Sequence, residues 1–425
     1  MRTKSLVGAL LVAALVTAGC AGDDPSGERE GKTELTVQIE GEPEENGVYI
    51  SLAKSFEDAN PDVDVNLVLV GDEGEDAIAK LTTQYAAGDP PEVYLINYRE
   101  YSQFVARDGI EPIGPHLDDA GIDPDNYFEE SLEAFSYGGA LQCMPQNISS
   151  LVVYYNTALF ADASLKHPPS DWDWEDLRAA ASDLVEQGAG GIGLEPKLIR
   201  LAPFVWSNGG GFVDDPDAPT RFTLDDPASR EALAFLVSLV HEGLVPTEEE
   251  TEAEDLETQF ITGKVGMYLG SRRDAAKFRE VIGFDWDVAA LPVAKEPASI
   301  LHSDAFCISK GTEPLDAALR FVKHVVGAEA QALGAFSGRL VPSLKSVARS
   351  TAFLDPTQPP AHGRVFLQAI PQMQRTPVIP TWPQIEEIGD EILRRAFYDQ
   401  GYSIDDAIRD LDEQTGPLFE EGGAP

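Results

Sequence analysis

Apolar and polar positions in the first hundred residues switch between two periods. From Glu34 to Glu40 (ELTVQIE) every second side chain is apolar, the signature of a half-buried strand. Val48, Leu52 and Phe56 then recur at helical spacing until Asn60-Pro61 stops the helix. Val63, Val65, Leu67 and Leu69 alternate again. Ile78, Leu81 and Tyr85 form one helical face, closed by Gly88 and Pro90-Pro91, and Val93–Ile96 is a further short strand. Strand, helix, strand, helix, strand in that order predicts a largely parallel sheet wrapped by helices.

A second series follows. Ser149–Tyr155 (SSLVVYY) reads as a strand, and Asp173 can cap a helix carrying Trp174, Leu177, Ala181, Leu184 and Val185. Asp226-Pro227 opens another helix, with Leu233, Leu236, Val237 and Val240 on its apolar face. Val265–Leu269, Asp287–Leu291 and Phe306–Ser309 look like strands. Helices are predicted over Pro314–Val326, Ala328–Phe336, Ile385–Phe397 and Ile404–Leu411. No repeat of fixed period interrupts this plan. The pattern therefore predicts two α/β lobes.

The extreme N-terminus differs. Met1-Arg2-Thr3-Lys4 is cationic, and Leu6–Val16 is apolar but short for a bilayer span, as in a secretory signal. The run ends Val16-Thr17-Ala18-Gly19-Cys20, which resembles the bacterial lipobox; that resemblance implies lipidation of Cys20 after cleavage, with Thr17 departing from the usual branched aliphatic. An ordinary cleaved signal with an incidental cysteine is the competing reading. Residues 21–32 (AGDDPSGEREGK) form a polar tether.

The chain has 425 residues, 43% hydrophobic, enough to bury a substantial core. Lys and Arg number 31 against 73 Asp and Glu, a formal charge of −42. Such a surface repels phosphate backbones, so no nucleic-acid partner is expected. Besides Cys20 the chain keeps Cys143 and Cys307, which outside the cytoplasm either oxidise or sit as separate buried thiols.

Several fragments in order resemble the extracellular solute-binding proteins of carbohydrate ABC importers, the maltose-binding-protein-like group. They are Ser55-Phe56-Glu57-Asp58-Ala59-Asn60-Pro61-Asp62-Val63, then Ala86-Ala87-Gly88-Asp89-Pro90-Pro91-Glu92-Val93, where the family more often has Asp at the place of Glu92. Met144-Pro145-Gln146-Asn147, Val152-Val153-Tyr154-Tyr155-Asn156 and Asp173-Trp174-Glu175-Asp176-Leu177 follow. Trp206-Ser207-Asn208-Gly209-Gly210-Gly211 and Phe260-Ile261-Thr262-Gly263-Lys264-Val265-Gly266-Met267 complete the set.

The resemblance implies an α/β, two-lobe periplasmic-binding-protein-like fold of type II, with hinge strands and an interlobe ligand cleft. Carried onto this chain, residues 1–19 are the signal peptide and 20–33 a lipid-anchored linker. Residues 34–145 plus 304–345 make lobe one, and 148–300 plus 350–425 lobe two. Hinge strands near 142–147 and 303–309 would bring Cys143 and Cys307 together, so a disulfide is implied. The resemblance also implies a monomeric, membrane-anchored receptor that hands a mono- or oligosaccharide to permease subunits, with no metal or organic cofactor.

A sugar offers C–H faces and a rim of hydroxyls, so its site needs flat rings and planar polar groups. Loop aromatics are the natural candidates: Trp206 before a triple glycine, Trp382 between prolines, and Tyr98 beyond a strand end. Asn147 and Asp304 fall on the implied hinge, and Asn208, Glu42 and Tyr268 join them. Arg99, Arg272 and Arg339 offer planar forks to hydroxyls or an acidic group. Core packing competes for the aromatics and surface ion pairing for the arginines; Trp172 and Trp174 read as core.

Enzyme readings find little support. The six histidines show no pair at metal-ligand spacing, and no phosphate-cradling glycine loop is present. Ala335 stands where a nucleophile elbow needs glycine, and His302-Ser303-Asp304 on one strand cannot converge as a relay. Carboxylate pairs carry no specificity among 73 acids. The alternatives left open are a secreted glycan-acting hydrolase, or the same fold holding a polyol, peptide or sugar phosphate.

Overall fold

The alternating segments become two separate sheets in the computed structural model, which describes residues 31–41, 43–71 and 74–422. The expected signal segment, Cys20 and Glu42 lie outside the described residues. The sheets draw on strands β1 (Thr33–Glu40), β2 (Val63–Val70), β3 (Val93–Asn97), β4 (Ile110–Glu111), β5 (Met144–Pro145), β6 (Leu151–Asn156), β7 (Gly190–Gly193), β8 (Val265–Ser271), β9 (Trp286–Ala289) and β10 (Asp304–Ser309). Helices α1 (Pro43–Ala59), α2 (Gly74–Ala87), α3 (Tyr98–Val105), α4 (Trp174–Glu186), α5 (Leu198–Ser207), α6 (Pro227–His241), α7 (Leu315–Val325), α8 (Trp382–Tyr398) and α9 (Ile404–Gly422) position the site.

The first sheet runs β2-β1-β3-β10-β4, with β5 also paired to β10. β1 is parallel to both β2 and β3, as strand–helix–strand connections require. β10 arrives from far along the chain and inserts antiparallel, Asp304 opposite Asn97 and Cys307 opposite Tyr94. Beneath lie Leu35, Val37, Ile39, Leu52, Phe56 and Phe321. Phe56 of α1 meets Phe321 of α7 edge to face at 5.1 Å.

The second sheet runs β9-β6-β8-β7, with β6 antiparallel to both neighbours. Its helices start where the sequence places caps. Asp173 makes a full capping box with Asp176, and Asp226 accepts from Ala228 and Ser229 ahead of Pro227. α8 and α9 pack against each other and against α6, extending the core around Trp382, Ile385 and Leu411.

Between the sheets the chain is stitched by a narrow ladder. β5 pairs with β10, Asn147 bridges Pro342, and Ser149 bridges His302. Cys143 and Cys307 are joined by a disulfide at this junction, Cα to Cα 4.5 Å, and both are fully buried. Among the described residues no helix is long and apolar enough to cross a membrane.

Candidate functional site

β1 and β3 run parallel and end at Glu40 and Asn97, and both end residues open on a cleft of ≈ 790 Å³. Open α/β sheets place ligands beyond strand C-termini in this way. The cleft is completed by Tyr49 of α1, by Arg99, Glu100 and Gln103 of α3, and by Gln146 and Asn147 of the junction. Lys197, Arg273, Asp304 and Arg339 also line it, with Gln384 and Glu387 from the first turns of α8.

Its floor is a locked polar unit. Asn97 Nδ2 donates to one oxygen of Asp304 at 2.9 Å, and Asn147 Nδ2 donates to the other at 2.7 Å. Asn147 Oδ1 in turn accepts the Asp304 backbone N–H at 2.8 Å, and Asn97 Oδ1 accepts from the Arg99 backbone and Nε. Neither amide can flip without losing these bonds. Beside the floor, Tyr49 donates to Gln146 Oε1, and burial raises the Tyr49 pKa, so it stays a neutral hydroxyl. Arg99 Nη1 donates to Glu386 Oε1 at 2.6 Å. Burial works against the Arg99 charge, but the Glu386 carboxylate outweighs it and holds the guanidinium above its ordinary pKa.

Behind Lys197 a second charged group stiffens the wall. Glu195 accepts from Arg200 Nη2 at 2.8 Å and lies 3.2 Å from Lys197 Nζ. Burial opposes its ionisation, yet these two cations lower its pKa to about 2. Asp390 of α8 accepts the first N–H of α5 at 2.7 Å, joining the two helices.

Of the residues singled out from sequence, Arg99, Asn147, Asp304 and Arg339 come together in this cleft. The others that can be placed do not, each for a visible reason. Trp206 lies in the last turn of α5 rather than in a loop, turned into the core against Phe212. Asn208 caps that helix and donates to Ala228 O and Glu231 Oε2. Trp382 begins α8 fully buried beside Phe212 and Phe222, so Gln384 and Glu387 face the cleft in its place. Tyr98 turns inward at the strand-to-helix junction, its hydroxyl 2.9 Å from Thr376 Oγ1. Tyr268 is buried opposite Tyr154 and stacked on Phe260.

Arg272 is 1% exposed, with its guanidinium over the rings of Phe353 and Phe366. Burial lowers its pKa to about 9, and its successor Arg273 lines the cleft. All five tryptophans are buried, and Tyr49 is the only aromatic lining this cleft among the described residues. The expectation of tryptophan platforms is thereby corrected. Asn97 was the residue most open to discovery: an asparagine ending a strand and capping the next helix.

Residues 51–361 match the family model of the bacterial extracellular solute-binding proteins. A binding protein of Brucella abortus (strain 2308) is 24% identical over 363 residues, 83% of this chain and 85% of its own. The sn-glycerol-3-phosphate-binding periplasmic protein of Escherichia coli O1:K1 / APEC is 27% identical over 262 residues, 57% of each chain. Among solved structures, an ABC substrate-binding protein from Listeria monocytogenes in complex with cycloalternan superposes with TM-score 0.83 at 24% identity, covering 92% of this chain and 99% of that one. A Streptomyces glaucescens receptor, solved unliganded and with acarbose, gives 0.81 at 22%, covering 92% and 99%.

Proposed function

Because the chain belongs to the bacterial extracellular solute-binding protein family, and so works outside the cytoplasm, we propose that it captures a carbohydrate and delivers it to the permease of an ABC importer. The observation that carries this reading is the Asp304 floor. Two amides held in fixed orientation leave the carboxylate with acceptor capacity for ligand hydroxyls, and Arg99 and Gln384 supply donors around it. Recognition then rests on polar pairing rather than on stacking, which suits a short, hydroxyl-rich ligand over a long glucan. Ligand bridging both sides of the cleft favours the closed state by its greater affinity for that state. The family and its neighbours are ligand-binding transporter components.

One observation favours a second reading, a phosphorylated polyol. Four cations (Arg99, Lys197, Arg273, Arg339) and four acids (Glu40, Glu100, Asp304, Glu387) line the cleft, although acids outnumber cations 73 to 31 in the chain. The cleft is thus enriched in positive charge, and the Escherichia coli relative named for sn-glycerol-3-phosphate points the same way.

Thermal-shift screening of neutral sugars beside polyol phosphates, followed by calorimetry, separates the two, since any ligand preferring the native state raises the melting temperature. Turnover of oligosaccharides without saturable binding would overturn both in favour of a hydrolase. We further propose a monomer held to the membrane by lipid on Cys20. Detergent-phase partitioning of the native chain, abolished in Cys20→Ser, tests the anchor.

A further inference from the structure

Away from the cleft, in the second sheet, Asp287 of β9 lies opposite Tyr155 of β6. The Asp287 side chain is 8% exposed, and among the described residues its only ion-pair partner is an imidazole, His362 Nδ1 at 2.5 Å from Oδ2. Its other oxygen accepts the His362 backbone N–H at 2.9 Å. A second imidazole, His167, lies stacked on His362 with ring centroids 3.8 Å apart and planes 14° apart. His167 Nδ1 is 2.7 Å from the Tyr155 hydroxyl. One ligand atom from each of His167, Asp287 and His362 falls within 4.8 Å of the others. None of the three touches the cleft. The two histidines are distant in sequence, which is why spacing along the chain gave no metal signal.

From this convergence of two exposed imidazoles on a buried carboxylate, we infer that His167, Asp287 and His362 bind one divalent transition cation, in the zinc, nickel and copper class. Two nitrogens and one oxygen suit these borderline metals better than calcium or magnesium, which prefer all-oxygen shells. A tetrahedral zinc with bonds of about 2.0–2.2 Å needs ligand atoms roughly 3.5 Å apart. Rotation of the two exposed rings closes the remaining distance. His362 exchanges its side-chain hydrogen bond to Asp287 for a metal bond, while its backbone N–H keeps the carboxylate in place. The Tyr155 hydroxyl, accepting from Nδ1–H of His167, leaves Nε2 as the metal-binding nitrogen, the usual arrangement behind a ligating histidine. A solvent-facing position remains for water. The ion would clip the loop after the helix Thr157–Asp162 and the segment before the helix Val365–Ala369 onto β9.

The test uses the full chain stripped with EDTA, titrated with zinc sulfate by calorimetry and melted with and without zinc. One equivalent of zinc should bind, and the melting temperature should rise by several degrees, reversed by EDTA and not reproduced by magnesium chloride. His167→Ala and His362→Ala should each weaken zinc binding at least tenfold. Tyr155→Phe, which removes only the hydroxyl behind His167, should weaken it by about 10-fold. His167 is exposed and its variant should melt like the native protein in EDTA; His362→Ala also strips buried Asp287 of its partner, so His362→Gln, which keeps a hydrogen-bonding group there, is measured beside it. Absence of zinc heat and of a melting shift in the native protein overturns the inference. Unchanged zinc binding in the His167→Ala/His362→Ala double variant overturns it too, because the ion would then sit elsewhere.

Discussion

Asp304→Asn is the most informative change to the cleft, because the structure makes this nearly isosteric substitution a severe one. Each carboxylate oxygen accepts one side-chain amide, from Asn97 at 2.9 Å and from Asn147 at 2.7 Å. The new amide can offer an oxygen to only one of them and turns an N–H₂ group toward the other. Asn97 cannot flip to help, since its oxygen already accepts twice from Arg99, and Asn147 cannot flip, since its oxygen holds the residue 304 backbone N–H. A hydrogen bond to a charged group contributes about 1.5–3 kcal/mol, so losing one and neutralising the other should cost about 2–4 kcal/mol. Asp304→Ala loses both bonds but admits water, so Asn should be no milder than Ala. Urea unfolding gives the stability change. Calorimetry with the ligand from the screen should show affinity reduced at least tenfold in both variants. An Asn variant within about 0.5 kcal/mol of native stability, binding normally, would refute the locked-floor reasoning.

Four further changes test the surrounding structure. Trp206→Ala should lower stability by about 3–5 kcal/mol through lost core packing while leaving ligand affinity within twofold; the paired readouts are denaturant unfolding and calorimetry. Arg272→Met should raise stability by about 1–3 kcal/mol in the same unfolding assay, because it removes a buried cation whose Nε and Nη2 have no hydrogen-bond partner, against a smaller loss of ring contacts. Glu195 has its pKa held at about 2 when folded, against an ordinary value of 4.5, so its contribution is full above pH 4.5 and disappears as pH falls toward 2. With 29% of the side chain exposed the contribution is about 2 kcal/mol, and Glu195→Gln should flatten that part of a stability–pH curve. The disulfide spans 164 residues, so Cys143→Ser/Cys307→Ser should cost about 5 kcal/mol in the loop-entropy model, read by unfolding under non-reducing conditions.

The elements were legible in the sequence because local signals agree. Alternation marks β1 and β2, Asn60-Pro61 ends α1, and Asp173 and Asp226 cap α4 and α6 where the pattern places them. The site was legible only in part. Asn147 and Asp304 could be placed because a resemblance located the junction, not because their chemistry is unusual. Trp206 and Trp382 were misplaced because glycines and prolines beside a tryptophan read as loop, whereas one lies in the last turn of a helix and the other begins one, and both turn into the core against Phe212. Arg272 and Arg273 are adjacent and opposite in fate: one is entombed and the other lines the cleft, a distinction set by packing from Phe353 and Phe366 far downstream. The same distance along the chain hides the partnership of His167 with His362.

The late arrival of β10 bears on how the molecule is made. Its residues fill the space between β3 and β4, so the sheet begun at Thr33 stays split until Ser309 has been synthesised. Pairing over so many intervening residues is slow to form. A nascent chain carrying only its early strands therefore cannot close this sheet, and the half of the molecule begun first is among the last to be completed.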